Sequence, residues 1–190
     1  MRKIVAGLFM SLDGVVESPE RWQMPYFNDE MGRAISAQMA SSDALLLGRR
    51  TYQEFAAFWP NQPSDAPFAD YMNPTPKLVV STTLDSVEWD NSTLLTGDVA
   101  AQLATLKQQP GKNLNVSGSG TLVRWLLSEG LLDELRLMVC PVVVGRGRHL
   151  FEDGGDNRTL TLVDTTTFST GVLSLTYQPV RGQGAGAGAG

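Results

Sequence analysis

The stretch NVSGSGTLVRWLLSEGLLDELRLMVCPVVVGRGRHLF, residues 115–151, contains the end of an apolar strand, a Gly/Ser turn, a helix and a second apolar strand. The first strand ends at Val116, and the helix finishes at Gly130, where glycine suits the position that follows a helix C-terminus. The apolar run LRLMVCPVVVG, residues 135–145, predicts the next strand. A helix between two apolar strands is typical of an α/β fold.

The amino-terminal part of the chain shows a similar order of elements. The apolar run KIVAGLFMSL, residues 3–12, predicts a central strand that is buried on both faces. Asn28 is a suitable N-cap for the helix that follows, since acidic residues occupy its first turn. Residues 44–48, ALLLG, predict a short buried strand, and residues 49–59, RRTYQEFAAFW, predict a helix directly after it.

The remaining segments predict a mixed sheet. KLVVSTTL at residues 77–84 and STLLTG at residues 92–97 predict two strands, and Asp98 begins a helix. TLTLVDTTTF at residues 159–168 and GVLSLTYQPV at residues 171–180 are strand-like throughout and rich in Val, Thr and Leu. We therefore expect a three-layer αβα protein whose central sheet is mainly parallel and becomes antiparallel at its end.

Length and charge limit the organisation of the protein and its partners. The chain has 190 residues, of which 42% are hydrophobic, so we expect one domain over residues 1–180. Residues 181–190, RGQGAGAGAG, have nothing to bury and are predicted to form a flexible tail. A net charge of −5 gives no general attraction to nucleic acid or to anionic membranes. We expect a cytoplasmic protein, because no membrane span or cleavable leader is evident.

The cysteine and histidine content argues against a metal site. Cys140 is the single cysteine and lies in an apolar run, which is typical of a small buried side chain. His149 is the single histidine and lies in a turn-rich segment, which is typical of a surface residue. With no group of Cys, His and carboxylate residues at metal-ligand spacing, we expect no metal.

Two glycine-bearing turns open helices directly after buried strands, and both are candidate phosphate sites because helix N-termini present unpaired N–H groups. The first contains Gly48, Arg49, Arg50 and Thr51. Basic residues oppose the helix dipole at this position, which suggests that an anion binds there. Two solvated arginines on a surface turn are an equally good interpretation of the spacing alone.

The second turn, residues 117–121, lacks bulky side chains, so a pyrophosphate could approach its backbone closely. By itself such a turn is also common for packing reasons. Between the two turns in the chain, Ser81 and Thr82 form the polar end of a strand. The combination fits a dinucleotide that lies across the carboxyl edge of a sheet.

These segments, in this order and spacing, closely resemble the dihydrofolate-reductase-like family, typified by the reductase domain of bacterial riboflavin-biosynthesis deaminase-reductases. The resemblance covers about residues 2–178, and the LDEL…PVVVGRG…LF segment is its most specific part. It implies a mixed sheet flanked by helices, NADPH as the hydride donor, a substrate cleft between the first strand and first helix, and a homodimer. The implied activity is that of 5-amino-6-(5-phosphoribosylamino)uracil reductase.

The resemblance also assigns roles to individual residues. Asp13 matches the start of a mobile loop beside the nicotinamide, where a catalytic role and a plain turn former are equally good interpretations. The substrate side is matched by Trp22 and Phe27, and Glu30 is a second candidate for supplying a proton. The residues matched to the cofactor are Gly48, Arg49, Arg50, Thr51, Ser81, Thr82, Gly118, Ser119, Gly120 and Thr121.

Phe27 is a departure from true dihydrofolate reductases. In the segment RWQMPYFNDEM, it takes the position of the acid that holds the pteridine. A phenyl ring cannot accept the two hydrogen bonds that an aminopyrimidine donates to a carboxylate. Asp29 or Glu30, one turn later, could replace that acid, although a role as first-turn helix acids is the favoured interpretation of both residues.

The residues and the resemblance together predict an NADPH-dependent reductase of a small heterocyclic substrate. The protein holds the nicotinamide against the substrate, and the cofactor carries the hydride. The proton could come from Asp13, Glu30 or water. The alternatives are dihydrofolate reductase itself and a non-catalytic NADPH-binding protein that kept the phosphate turns.

Overall fold

A computed structural model describes residues 1–153, 155 and 157–180, and its central feature is an eight-stranded sheet. The strands are β1 (Ile4–Ser11), β2 (Ser42–Gly48), β3 (Lys77–Val80), β4 (Ser92–Leu95), β5 (Asn113–Val116), β6 (Glu134–Cys140), β7 (Leu160–Thr167) and β8 (Leu173–Pro179). The helices are α1 (Asp29–Ala40), α2 (Arg49–Phe58), α3 (Ala69–Met72), α4 (Val99–Gln108) and α5 (Gly120–Ser128). The tail predicted at residues 181–190 lies outside the described residues.

The strand order in the sheet is β4-β3-β2-β5-β1-β6-β8-β7. The six strands from β4 to β6 are parallel to one another. At the other end β8 pairs antiparallel with β6, and β7 pairs antiparallel with β8. The predicted sheet, mainly parallel with an antiparallel end, is therefore confirmed.

Apolar side chains alternate between the two faces of the sheet and so divide the core into two sides. Leu46 packs with residues of α4 and α5 on one side. Its neighbours Leu45 and Leu47 pack with residues of α2 and α3 on the other. Met31 of α1 is fully buried and packs beside the end of β6 on that second side. The result is the expected arrangement of helices on both faces of one sheet.

Local side-chain chemistry sets the ends of three of the helices. The Asn28 side chain accepts a hydrogen bond from Met31 N, Asp98 caps α4 through Ala101 N, and Ser119 caps α5. No side chain caps α2, which begins after Gly48. The predicted stop of α5 at Gly130 is confirmed, since α5 ends at Ser128 with Glu129 as its C-cap.

The largest differences from the predicted strands are at the carboxyl ends of β3 and β6. β3 ends at Val80 because the Ser81 hydroxyl accepts hydrogen bonds from the N–H groups of Thr83 and Leu84, which turns the chain. β6 ends at Cys140 because Pro141 has no N–H group to continue the ladder. Among the described residues, no helix is both long and apolar enough to cross a membrane.

Candidate functional site

Three strand ends lie side by side at the carboxyl edge of the sheet. Gly48, the last residue of β2, pairs in register with Val80, the last residue of β3. On the other side, Gly48 N donates a hydrogen bond of 3.2 Å to Gly118 O, in the turn that follows β5. The two glycine-bearing turns and the Ser81 strand end therefore form one continuous edge, with the Arg49 turn in the middle.

The two turns pack directly against each other. A Cβ atom on Gly48 would lie 2.6 Å from Ser119 Oγ, and one on Gly118 would lie 2.7 Å from Thr51 Oγ1. Thr51 is buried, so its hydroxyl faces the neighbouring turn. Packing between the turns thus explains why residues 48 and 118 are glycines. The Gly118–Ser119 peptide is cis.

The start of α2 has unbalanced positive charge. Arg49 and Arg50 are both exposed, and neither side chain forms a hydrogen bond or ion pair within the described part of the chain. The first-turn N–H groups of α2 have no side-chain cap. Two exposed cations and an uncapped helix N-terminus together attract an anion to this position.

A cavity of about 250 Å³ lies at the ends of β3 and β4, one strand away from the Arg49 turn. Hydroxyl groups and apolar side chains share its wall, which suits a ring bearing polar substituents. Its lining residues are Val80, Ser81, Thr82, Leu84, Leu95, Thr96, Gly97 and Val99. Ser81 and Thr82 on this wall directly follow Val80, the strand residue in register with Gly48, which precedes Arg49.

The second turn leads into α5 and is covered by the loop that follows β1. A Cβ atom on Gly120 would lie 3.3 Å from Val16 Cγ2, so this loop touches the first residue of α5. The Ser119 hydroxyl accepts a hydrogen bond of 3.3 Å from Leu122 N. Thr121 is exposed, and its hydroxyl accepts a hydrogen bond from Arg124 of the same helix.

The Asp13 carboxylate accepts hydrogen bonds from a nearby hydroxyl and from backbone N–H groups far away in the chain. It accepts bonds from the Ser11 hydroxyl at 2.6 Å, from Val144 N at 3.0 Å and from Gly145 N at 2.8 Å. These donors, Ser11 foremost, lower the pKa of Asp13 to about 2. At neutral pH the group is an ionised acceptor, which favours a structural role over proton donation.

Glu30 joins the first turn of α1 to the turn between β7 and β8. Its carboxylate accepts hydrogen bonds from Ser169 Oγ, Ser169 N and Asn28 Nδ2, at 2.5, 2.8 and 2.8 Å. The Ser169 donors are the main cause of a pKa below the usual range for Glu30. An open polar cavity of about 550 Å³ lies beside it, lined by Asn28, Asp29, Glu30, Arg33 and Ser169.

Trp22 and Phe27 lie on the segment between β1 and α1, but in different surroundings. Trp22 packs against the buried group that contains Met31 and donates from Nε1 to Glu17 O at 3.0 Å. The Phe27 side chain is 39% exposed and lies over α1 near Gly32. Position 27 therefore places an apolar ring, and no carboxylate, beside the first turns of α1.

Comparison with known proteins identifies the family. The model of the RibD C-terminal domain matches residues 2–174. The chain belongs to the RibD C-terminal domain family. The uncharacterized protein YyaP of Bacillus subtilis (strain 168) is 28% identical to it over 180 residues, which cover 93% of this chain and 94% of that protein.

Solved structures support the same fold for this RibD C-terminal domain. A candidate riboflavin biosynthesis protein from Shewanella sp. PV-4 superimposes with a TM-score of 0.77 at 22% identity, over 94% of this chain and 99% of that one. Dihydrofolate reductase from Enterococcus faecalis, complexed with NADP(H) and RAB-propyl, superimposes with a TM-score of 0.61 at 15% identity. The match covers 93% of this chain and 96% of that one. The fold is therefore dihydrofolate-reductase-like, as the sequence predicts.

Sequence reasoning missed part of the edge of this RibD C-terminal domain. Thr96 and Gly97 line the cavity beside Ser81, and Val16 covers the second turn. The polar end of STLLTG was the available signal for Thr96, by analogy with the end of KLVVSTTL. Nothing in the local sequence marks Val16. Within residues 1–153, 155 and 157–180, no three His, Cys, Asp or Glu side chains are grouped to hold a metal ion.

Proposed function

We propose that the protein is an NADPH-dependent reductase of a small heterocyclic substrate. The observation that carries this proposal is the arrangement at the start of α2, where Arg49 and Arg50 have no partner among the described residues and lie beside an uncapped helix and a hydroxyl-lined cavity. A dinucleotide with a 2′-phosphate has a negative charge that the arginines would bind and a ring that the cavity would bind. Family membership supports the same proposal.

The edge offers a partner for each part of such a cofactor. Arg49 would hold the 2′-phosphate, with Arg50 adding positive charge beside it, and the cavity with Ser81 and Thr82 would take the adenosine. The N-terminus of α5 at Gly120 would face the pyrophosphate. When bound, NADPH supplies the hydride, and the chain contributes orientation and exclusion of water.

The hydrogen bonds of the two candidate acids favour water as the proton source. Asp13 accepts from three donors, and its pKa of about 2 leaves almost none of it protonated at neutral pH. Glu30 is likewise occupied by Ser169 and Asn28, which lower its pKa. We therefore assign both carboxylates to holding loops in place, and the proton to solvent that reaches the substrate.

The substrate proposed here is a ribosylaminopyrimidine of the kind reduced in riboflavin biosynthesis. The experiment follows NADPH fluorescence on binding and then its oxidation after addition of the pyrimidine or of dihydrofolate. Turnover with the pyrimidine alone supports the proposal. Binding without turnover of either compound supports a binding protein, and turnover of dihydrofolate at ordinary enzyme rates contradicts the role given to Phe27.

We further propose that two copies associate through the β7–β8 end of the sheet. Leu175 and Tyr177 of β8 pack against the α5 side of the core. Leu173 shares their face by strand alternation, and Leu162 shares it because it pairs with Tyr177. Leu162 and Leu173 are 47% and 38% exposed, and β7 is an edge strand. A second copy would cover both the apolar face and the open edge.

A further inference from the structure

The loop after β1, residues 12–18, and the loop after β6, residues 141–150, are joined along their length. Leu12 N donates to Val142 O at 2.8 Å, and Val16 N donates to Arg148 O at 2.9 Å. Leu150 N donates to Gly14 O at 3.0 Å. The two loops therefore behave as one unit, which we call the paired loops.

Asp13 supplies the side-chain part of this connection. Its two carboxylate oxygens accept from Val144 N and Gly145 N, which are more than 130 residues away along the chain. Ser11 fixes the carboxylate from the other side, because its hydroxyl donates to Asp13 and accepts from Val15 N. The acid therefore bridges the end of β1 to the tip of the second loop.

The tip of the second loop fits closely against the first. Gly147 has a φ of +119°, and a Cβ atom there would lie 2.9 Å from Val15 Cγ1. Glu17 accepts a hydrogen bond from Arg148 N at 3.2 Å and lies 3.5 Å from Arg148 Nε. Two carboxylates, Asp13 and Glu17, thus hold the glycine-containing tip at both ends.

The paired loops also touch the helix start that the proposed cofactor needs. Val16 lies against Gly120, and Arg124 of α5 donates to Leu150 O at 3.0 Å. Leu150 itself is fully buried in the core on the α5 side. Movement of the paired loops therefore changes what covers the N-terminus of α5.

We propose that Asp13 is a positioning residue, which holds the paired loops so that Val16 covers the α5 helix start, and that it transfers no proton. The link to NADPH depends on the function proposed above, whereas the link between the two loops does not. A positioning role requires an acceptor at this position, and a proton donor requires a titrating acid. Asp13→Asn keeps an acceptor and removes the acid, so it separates the two roles.

The experiment compares wild type with Asp13→Asn and Asp13→Ala, and uses Glu20→Ala, an exposed acid of the neighbouring segment, as the control. Amide hydrogen exchange at Val144, Gly145 and Val16 reports the paired loops without any cofactor. In Asp13→Ala these amides should exchange faster, and the NADPH dissociation constant should rise by about fivefold, the scale of a partly exposed charged contact. Asp13→Asn should lie between Asp13→Ala and wild type in both measurements.

The pH profile of kcat at saturating NADPH tests the remaining claim. With Asp13 as a positioning residue, Asp13→Asn keeps the wild-type profile and loses little kcat. A loss of kcat of about a hundredfold in Asp13→Asn, with unchanged NADPH affinity and amide exchange, would make it a proton donor and overturn the proposal. Faster exchange in Asp13→Ala with unaltered NADPH affinity would also overturn it. A wild type that binds no NADPH contradicts the proposed function instead, and exchange at Val16 still tests the connection between the loops.

Discussion

Arg49 and Arg50 are adjacent and both exposed, yet only one of them needs to hold the 2′-phosphate of the proposed cofactor. The first-turn position of Arg49, directly after Gly48, places it beside the strand end at Ser81. Loss of one charge-assisted hydrogen bond costs about 1.5–3 kcal/mol, or roughly ten- to a hundredfold in affinity. We expect Arg49→Ala to weaken the binding of NADPH by that factor and to leave the binding of NADH almost unchanged.

The measurement is the dissociation constant of both cofactors for wild type, Arg49→Ala and Arg50→Ala at one salt concentration, because phosphate contacts are screened. Arg50→Ala is the matched control, since it removes the same charge one residue away. If Arg49→Ala lost the same affinity for NADPH and for NADH, this side chain would lie away from the 2′-phosphate. A wild type that prefers NADH would contradict the cofactor itself.

Single residues also show where prediction from sequence reaches its limit. The absence of an acid at Phe27 is visible in the sequence, and the structure adds only that the ring lies over α1. The role of Asp13 is not visible, because its backbone partners are 131 and 132 residues away. A short polar side chain before a glycine is consistent with a turn, a catalyst or a connection between loops, and only the partner distinguishes them.

At the scale of elements, the starts of α1 and α4 were predictable because each is encoded within four residues. Asn28 and Asp98 cap α1 and α4 as the sequence predicts. Strand ends were less predictable, because the turn made by Ser81 and the missing N–H of Pro141 both cut short apolar runs that continue in the sequence. The turns at the carboxyl edge of the sheet were predictable one by one. Their order along that edge was not, because it depends on which strands pair.

The N-terminus of α5 gives a test of the second turn. A valine at position 120 would press on Val16, since even a Cβ atom there lies 3.3 Å from Val16 Cγ2, and its methyl groups would obstruct the first N–H groups of the helix. We expect Gly120→Val to fold and to weaken NADPH binding about tenfold, the scale of one lost hydrogen bond to a charged group.

The control for this element is Gly32→Val in α1, where a Cβ atom would meet nothing closer than Phe27 at 3.8 Å. It measures the general effect of a β-branched residue in a helix, away from the proposed cofactor. Circular dichroism confirms folding of both variants, and fluorescence titration gives the affinity. Unchanged NADPH affinity in a folded Gly120→Val would exclude this turn from the site.

At the scale of the whole molecule, Lys77 makes the free energy of unfolding change with pH in alkaline solution. Its side chain is fully buried, donates to Asn73 O at 2.5 Å and Asp90 O at 3.0 Å, and lies 3.9 Å from the centre of the Trp89 ring. Burial lowers the pKa of Lys77 from 10.5 to about 8 in the folded protein. Between these values the unfolded chain binds more protons than the folded one.

This difference means that stability rises with pH through the window from about 8 to 10.5, whereas at neutral pH both states carry the charge. Compared with Lys77→Met, wild type should gain at most about 3 kcal/mol across the window, at 1.36 kcal/mol for each pKa unit. Urea unfolding of both proteins at several pH values measures the gain. Parallel curves for the two proteins would show that the Lys77 pKa is the same in both states.

Association through the β7–β8 end also belongs to the whole molecule, because it would join two sheets across a face that each copy leaves open. Leu162 lies on the apolar face, opposite Tyr177, whereas Thr161 pairs with Gln178 and points to the other face. A carboxylate at position 162 would be buried without a partner in the dimer, and a carboxylate at position 161 would stay in water. We therefore expect Leu162→Asp to be monomeric and Thr161→Asp to remain dimeric.

Sedimentation velocity over a range of concentrations distinguishes the states, because the chain has a mass of 20.6 kDa and the dimer has twice that mass. Wild type and Thr161→Asp should sediment as dimers at micromolar concentration, and NADPH affinity should be the same in both states, since the proposed cofactor edge lies at the β2–β5 turns. Circular dichroism checks that Leu162→Asp is folded. A wild type that stays monomeric would contradict the association, and a dimer that survives Leu162→Asp would move it to another surface.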